Sequence, residues 1–143
     1  MHRFAALALG VFAAAAGVLA AGAASAGSFL SDGEARACED SRIVAKIVDR
    51  FHYQALNVHH LPNLRISELR NIHEHRYLPY REDWPIARRY CGGTVDLSDG
   101  RSRTIWYLIE DGMGLAGMGD NVEFCVSGFD RWMVYNGRCR VLR

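Results

Sequence analysis

The apolar residues between positions 41 and 60 recur every three or four residues, as they do on one face of an α-helix. The members of this stripe are Val44, Ile47, Val48, Phe51, Ala55 and Val58. We therefore predict one amphipathic helix that buries the stripe against another element of the fold.

Two starts fit the residues that precede the stripe. Ser31 and Glu34 have the spacing of a capping box, whereas Glu39 or Ser41 would begin a shorter helix. At the other end, Pro62 cannot continue a helix because it lacks a backbone N–H. We expect Pro62 and the following residue, Asn63, to end the helix.

From residue 86 onward the apolar period changes to two, which is typical of β-strands. The segments "ARRYCGGTVDLS" and "RSRTIWYLIE" flank a turn at Asp99-Gly100, and this arrangement predicts a hairpin. The segment "NVEFCVS" predicts a third strand, and "RWMVYNGRCRVL" predicts a fourth. Residues 61–85 are less regular, and their "ISELRNIHEH" fits either a short helix or a strand.

A helix followed by antiparallel strands predicts an α+β fold. We expect the N-terminal helix to pack on a roughly four-stranded antiparallel sheet, within one domain over residues 27–143. This order of elements is like that of cystatin-like and NTF2-like proteins. A fold of this kind does not by itself give a function.

Residues 1–26 have the pattern of a secretory signal peptide. A basic start is followed by a long run of Ala, Leu and Val, and the segment ends in the small residues Ala24-Ser25-Ala26. The alternative is an uncleaved anchor helix. Cleavage would leave a periplasmic or secreted protein that begins near Gly27. No later stretch has the roughly 20 apolar residues of a membrane span.

The charge balance argues against a nucleic-acid partner. The 143 residues carry a formal net charge of +1. Loss of residues 1–26 removes Arg3 and leaves equal numbers of basic and acidic residues. Such a chain lacks the positive footprint of a nucleic-acid-binding surface.

The four cysteines predict two disulfides, because an exported chain meets an oxidising compartment. Zinc sites use close pairs such as C-x-x-C, which these wide spacings do not provide. Cys91 shares a strand face with Val95 and Leu97, on the side we expect beneath the helix, and Cys38 lies near the start of that helix. Cys125 and Cys139 fall on strands that can be neighbours. Of the three connectivities, we favour Cys38–Cys91 and Cys125–Cys139.

The stretch "GMGLAGMG" at residues 112–119 contains G-x-G-x-x-G, the pattern of a dinucleotide-binding turn. That motif requires a helix directly after the loop, whereas a strand pattern follows here. We therefore interpret it as a loop between strands and expect no cofactor. Its apolar side chains, Met113, Leu115 and Met118, are candidates for a contact surface.

Two histidines are candidate metal ligands. If "HEH" is extended, His73 and His75 lie on one side of the strand and can approach zinc or copper. The motif is not H-E-x-x-H, and a solvated, pH-sensitive surface is the alternative.

Arginines alternate with aromatic residues along the predicted sheet, where a guanidinium group can stack on a ring or bind a carboxylate. We select Arg101, Arg103 and Trp132 as candidates for an interaction surface. In the alternative, the arginines form ion pairs on a solvated face, with partners such as Asp96 and Glu123. We assign no catalytic residue, because G-x-S-x-G is absent and the cysteines are expected to be oxidised.

Three segments carry a resemblance to a known family: "CEDSRIVAKIVDRFHYQ", "ARRYCGGTVDLSDGRSRTIWYLIED" and "GMGLAGMGDNVEFCVSGFDRWMVYNGRCRVLR". The chain resembles a family of small exported alphaproteobacterial proteins with paired cysteines. The resemblance implies export, one domain and the disulfide framework. It carries over no activity and no catalytic or binding residue.

These observations favour a non-enzymatic binding protein whose partner is another protein or a small ligand. Two alternatives stay open. One is an NTF2-like carrier or enzyme with a pocket between helix and sheet. The other is a metal-binding protein that uses His73 and His75.

Overall fold

The computed structural model describes residues 36–143, in which one helix precedes four strands. They are α1 (Ser41–Asn57), β1 (Ile66–Leu78), β2 (Arg88–Leu97), β3 (Ser102–Glu110) and β4 (Asn121–Val126). The predicted signal peptide, residues 1–26, and the predicted capping box at Ser31 and Glu34 lie outside the described residues. No helix among residues 36–143 is long and apolar enough to span a membrane.

The first turn of α1 is fixed by Asp40. The Asp40 carboxylate accepts a hydrogen bond of 2.8 Å from the backbone N–H of Arg42, and the Arg42 guanidinium donates to it at 2.7 Å. An N-cap of this kind satisfies a backbone donor that has no partner within the helix. The helix thus begins at Ser41, the later of the predicted starts, and it ends at Asn57, before Pro62.

We expect Asp40→Ala to lower the free energy of unfolding by about 1 kcal/mol near neutral pH, because the cap is lost. Hydrogen bonds from the side chain and backbone of Arg42 lower the pKa of Asp40 from 3.8 to about 2. A carboxyl whose pKa is lower in the folded state stabilises the fold above its unfolded pKa, and this contribution disappears as the pH falls through the folded pKa. Urea unfolding at neutral pH and near pH 2 measures the change.

The matched control is Asp49→Ala, which removes an exposed carboxylate from the same helix. The gap between wild type and Asp40→Ala should shrink as the pH falls from 3.8 towards about 2. A gap that stays constant over that range would contradict the capping role.

The four strands form one antiparallel sheet in the order β1-β2-β3-β4, so each strand pairs with its neighbour in sequence. The register places Tyr107 of β3 between Cys91 of β2 and Phe124 of β4. The predicted α+β fold, with a helix on a four-stranded antiparallel sheet, is confirmed.

One of the predicted strands is wrong. The segment 131–142 forms turns, with positive φ angles at Met133, Asn136 and Arg138, and pairs with no strand of the described sheet. The Asp130 carboxylate accepts the backbone N–H groups of Tyr135 and Cys139, which a strand would have donated to a neighbour. The fourth strand is instead β1, so the segment "ISELRNIHEH" forms a strand and not a short helix.

The helix and the sheet meet on fully buried side chains. The helix contributes Ile43, Ile47, Phe51 and Ala55, which recur every four residues. Two of the predicted stripe residues, Val44 and Val48, are half-buried at its margin. The facing sheet residues are Val95, Ile105, Tyr107, Val122, Phe124 and Val126. Burial of this apolar area is the main force that holds the helix on the sheet.

Two disulfides tie the turn before α1 and the C-terminal segment to the sheet. Cys38, in the turn before α1, is bonded to Cys91 of β2, and Cys125 of β4 is bonded to Cys139. These are the pairs that the sequence favours, although Cys139 lies in a turn and not on a strand. The second bond places the C-terminal segment over the other sheet face, where Leu142 packs against Leu108. No free cysteine is present, since all four lie within the described part of the chain.

Candidate functional site

A depression of about 470 Å³ lies where the chain leaves α1 and passes the end of the sheet. Its basic side is formed by Arg101 and Arg103, at the start of β3. Its apolar walls are Leu61, Pro62, Leu64 and Phe129. We call this site the basic depression. Its volume falls within the range of small-molecule sites, about 300–1,000 Å³.

Arg103 reaches the basic depression because of the register of β3. It lies opposite Val95, on the helix side of the sheet, two residues before Ile105. The helix has ended at this level, so a long polar side chain extends beyond the apolar interface rather than into it. Arg103 is half-buried as a result.

The guanidinium group of Arg103 has no partner among residues 36–143. Its Nε is buried without a hydrogen bond, and no ion pair in that range includes Arg103. A buried polar group without a partner costs about 1–3 kcal/mol, and more when it is charged. Because Arg103 as a whole is only half-buried and lines the depression, the accessible part of its guanidinium group can bind an acceptor on a ligand.

Other arginines of the sheet are paired, as the alternative interpretation expects. Arg88 donates to Glu110 at 2.8 Å, and Arg89 is buried against Glu74. Asp96, one of the partners that the alternative named, accepts from Arg70, which lowers the pKa of that carboxyl to about 2.

Arg101 is more exposed than Arg103 and stands beside a carboxylate. Its Nε lies 3.9 Å from the Asp99 carboxylate, which also accepts the Arg101 backbone N–H at 3.0 Å. An exposed pair at this distance contributes little stability. It does partly offset the charge of Arg101, so the net charge at the basic depression is close to that of one cation.

The apolar wall of the depression is anchored to the core through Phe129. The ring of Phe129 meets Phe51 of α1 edge-on, with 5.2 Å between centroids, and meets His59 at 5.1 Å. Burial, followed by the nearby charge of Arg131, lowers the pKa of His59. The lowered pKa favours the neutral imidazole, which suits its packing on the apolar ring of Phe129.

The predicted contact residues Met113, Leu115 and Met118 lie in the loop between β3 and β4, away from the basic depression. All three are exposed. A hydrogen bond from the Gly114 N–H to the Gly119 carbonyl closes the loop, and a Cβ on Gly114 would overlap the Met118 carbonyl oxygen. The glycines therefore shape a tight loop, and strand β4 follows it, in agreement with the rejection of a dinucleotide turn.

His73 and His75 lie on the sheet face opposite α1, with 6.4 Å between ring centroids. Nδ1 of His73 is 2.9 Å from the Asn71 carbonyl oxygen, and Nε2 faces Gly92. His75 packs edge-on against Trp106 at 5.1 Å, and burial is the main cause that lowers its pKa. No group of three metal-ligating side chains is found within residues 36–143. Metal binding by this pair stays a prediction.

The sequence selected Arg101, Arg103 and Trp132, and the structure brings the two arginines to the basic depression but places Trp132 elsewhere. Trp132 is exposed beside Arg131 in the C-terminal segment, next to the edge of β4. Phe129 and Leu61, which complete the basic depression, were not predicted. They lie in connections, where apolar periodicity gives no signal.

The chain matches no protein-family model, no curated protein and no solved structure. Its fold and its site define a small disulfide-stabilised α+β protein with an unpaired arginine in an apolar-walled depression.

Proposed function

We propose that this is an exported, non-enzymatic binding protein, and that its basic depression binds a carboxylate attached to an apolar group. The observation that carries the proposal is the Arg103 guanidinium, which is half-buried and unpaired beside Phe129. The planar fork of an arginine matches the two oxygens of a carboxylate, and the apolar walls match the rest of the ligand.

The charges at the site favour a singly charged ligand. Asp99 stands beside Arg101 and offsets part of the positive charge, so about one cation remains for the ligand. A dianion such as a phosphate monoester would meet repulsion from Asp99 and would lack a second unpaired donor group. A ligand side chain or chain terminus with one carboxylate fits this balance.

Export is supported by the disulfides and by the pattern of residues 1–26. Disulfides persist in oxidising compartments such as the periplasm and the extracellular space. Both bonds are buried parts of the fold, with each cysteine at most 3 % exposed.

The NTF2-like alternative needs a cavity between helix and sheet, and that interface is filled. Ile47, Phe51, Val95 and Ile105 meet there with at most 1 % exposure. The depression lies at the margin of the interface and holds no pair of groups that we would assign to acid–base chemistry. This arrangement favours binding over catalysis.

Binding of 3-phenylpropionate, measured by isothermal titration calorimetry against its neutral amide, tests the proposal. We expect the acid to bind more tightly than the amide and Arg103→Leu to weaken it by about tenfold or more, the effect of one charged hydrogen-bonding group. Arg103→Lys keeps the charge but loses the fork, so it should recover only part of the affinity.

The matched control is Arg81→Leu, which removes an exposed arginine from the connection between β1 and β2. This variant should bind as the wild type does. Equal affinity for acid and amide, or an Arg103→Leu protein that binds the acid unchanged, would contradict the proposed function.

A further inference from the structure

His73, Gly92 and Trp106 form one row across strands β1, β2 and β3, on the sheet face opposite α1. Because Gly92 has no side chain, the rings of His73 and Trp106 approach each other above it. A Cβ on Gly92 would lie 2.9 Å from Nε2 of His73 and 2.9 Å from the Trp106 ring. His75, two residues further along β1, meets the same tryptophan edge-on at 5.1 Å. Two imidazoles and one indole therefore converge on this part of the sheet.

Each of the two imidazoles has one side next to a backbone carbonyl. Nδ1 of His73 is 2.9 Å from the Asn71 carbonyl oxygen, and the Leu142 carbonyl faces the His75 ring. A carbonyl in this position favours a proton on the nearby nitrogen, which leaves the lone pair on the other nitrogen. Metal-bound histidines in proteins show the same arrangement, because it orients the ring and raises its basicity. The pair thus offers two nitrogen donors.

The separation of the two rings suits a single ion between them. An ion bound by one nitrogen of each ring, on opposite sides and at about 2.0–2.1 Å, holds the ring centroids roughly 6 Å apart. The centroids of His73 and His75 are 6.4 Å apart. Both side chains are exposed, so small rotations of the rings can aim their nitrogens at an ion that arrives from solvent.

The number of donors favours copper over zinc. Zinc sites take three or four protein ligands, and no group of three metal-ligating side chains occurs within residues 36–143. Cu²⁺ stands at the top of the affinity order for nitrogen donors and accepts a tetragonal set of nitrogen and oxygen ligands. Two imidazoles supply opposite positions of such a set, and water can supply the others at an exposed site.

The charges around the pair exclude hard cations. Arg76 lies beside His75 and is held over the Tyr90 ring at 3.6 Å, whereas the carboxylate of Glu74 is paired with Arg89. Electrostatic attraction therefore contributes little to the binding of a cation here, and the bonds to the two nitrogens must supply the affinity. Ca²⁺ and Mg²⁺ bind through oxygen ligands and do not suit this site.

We propose that His73 and His75 bind one Cu²⁺ ion, with water in its remaining positions and the Trp106 ring beside it. This copper site lies on the sheet face opposite α1, whereas Arg103 of the basic depression lies on the helix side. The two sites are therefore independent, and each has its own test.

Tryptophan fluorescence detects an ion at this site because bound Cu²⁺ quenches an adjacent indole. The chain has three tryptophans, and the variant Trp84→Phe/Trp132→Phe leaves Trp106 alone. We expect Cu²⁺ added to the full mature form of this variant to quench Trp106, with saturation at one equivalent. Loss of an outer-shell partner lowers metal affinity about 10–100-fold, so His73→Gln and His75→Gln should each weaken binding at least tenfold.

Electron paramagnetic resonance of the Cu²⁺-loaded protein identifies the donors. We expect nitrogen couplings from two imidazoles in the wild type and from one in either glutamine variant. Isothermal titration calorimetry should give weaker binding of Zn²⁺ than of Cu²⁺. Circular dichroism checks that the variants are folded.

Two variants serve as matched controls. His60→Gln removes an exposed histidine that follows α1, and it should leave the binding of Cu²⁺ unchanged. Arg103→Leu should also bind Cu²⁺ as the wild type does, so a loss of carboxylate binding and a loss of copper binding are measured separately.

Two results would overturn the proposal. One is a His73→Gln/His75→Gln protein that is folded and binds Cu²⁺ as tightly as the wild type, since the ion would then be held elsewhere. The other is Cu²⁺ binding that leaves the fluorescence of Trp106 unchanged in the Trp84→Phe/Trp132→Phe variant.

Discussion

Replacement of Cys38 and Cys91 by alanine is expected to lower the free energy of unfolding by about 4 kcal/mol. The two cysteines are 53 residues apart, and a crosslink that closes so long a loop removes much of the entropy of the unfolded chain. Both side chains are buried, so the variant also loses packing between the start of α1 and β2. A loss of this size is a large share of the stability of a small protein, about 5–15 kcal/mol.

The second disulfide provides the comparison. Cys125 and Cys139 are 14 residues apart, and the same loop-entropy argument gives about 3 kcal/mol for their replacement by alanine. Urea unfolding of the wild type and the two double variants, with m-values fitted separately, measures both losses. A loss below 1 kcal/mol for Cys38→Ala/Cys91→Ala would show that the hydrophobic core fixes the start of α1 without the disulfide.

Truncation of Phe51 to alanine should cost about 3–5 kcal/mol, because it leaves a cavity at the centre of the helix–sheet interface. Phe51 is 1 % exposed and meets Phe129 edge-on. Its loss would also release the ring that forms the apolar wall of the basic depression. We therefore expect Phe51→Ala to weaken 3-phenylpropionate binding as well as stability.

Tyr53→Ala is the matched control, since Tyr53 lies on the same helix but is mostly exposed. Exposed substitutions of this kind usually change stability by less than about 0.5 kcal/mol. Chemical denaturation and calorimetry on both variants separate the two effects. If Phe51→Ala lost stability but bound the acid unchanged, Phe129 would not depend on Phe51 for its position.

Periodicity predicted α1, β2, β3 and β4, and it left β1 ambiguous for a physical reason. Register shifts interrupt the pairing of β1 with β2 between Ile66 and Glu68, between Arg70 and His73, and between Glu74 and Arg76. Each shift inserts a residue and exchanges the two faces of the strand. A strand with three such shifts shows no sustained alternation, so its sequence does not distinguish it from a helix.

The prediction at the C terminus failed because an apolar run does not specify its partner. In "RWMVYNGRCRVL", the side chains of Trp132, Met133 and Val134 are exposed, and only Leu142 and Cys139 of that segment are fully buried. The Asp130 carboxylate and the disulfide between Cys139 and Cys125 of β4 hold this segment, and apolar periodicity indicates neither contact.

The candidate site was predicted in part. Arg101 and Arg103 were selected by their residue type and their place on a strand, and the structure brings them together at one depression. The apolar walls formed by Leu61 and Phe129 could not be predicted, because both residues lie in connections whose positions depend on tertiary packing, which local periodicity does not encode.

We propose that the Arg103 guanidinium, which has no partner among residues 36–143, binds a carboxylate. The most direct measurement is a titration with 3-phenylpropionate followed by ¹H–¹⁵N spectra of the arginine Nε–H groups. We expect the Arg103 resonance, identified by its absence from Arg103→Leu, to shift to saturation while that of Arg81 stays in place. An Arg103 resonance that does not move while calorimetry shows the acid bound would contradict it.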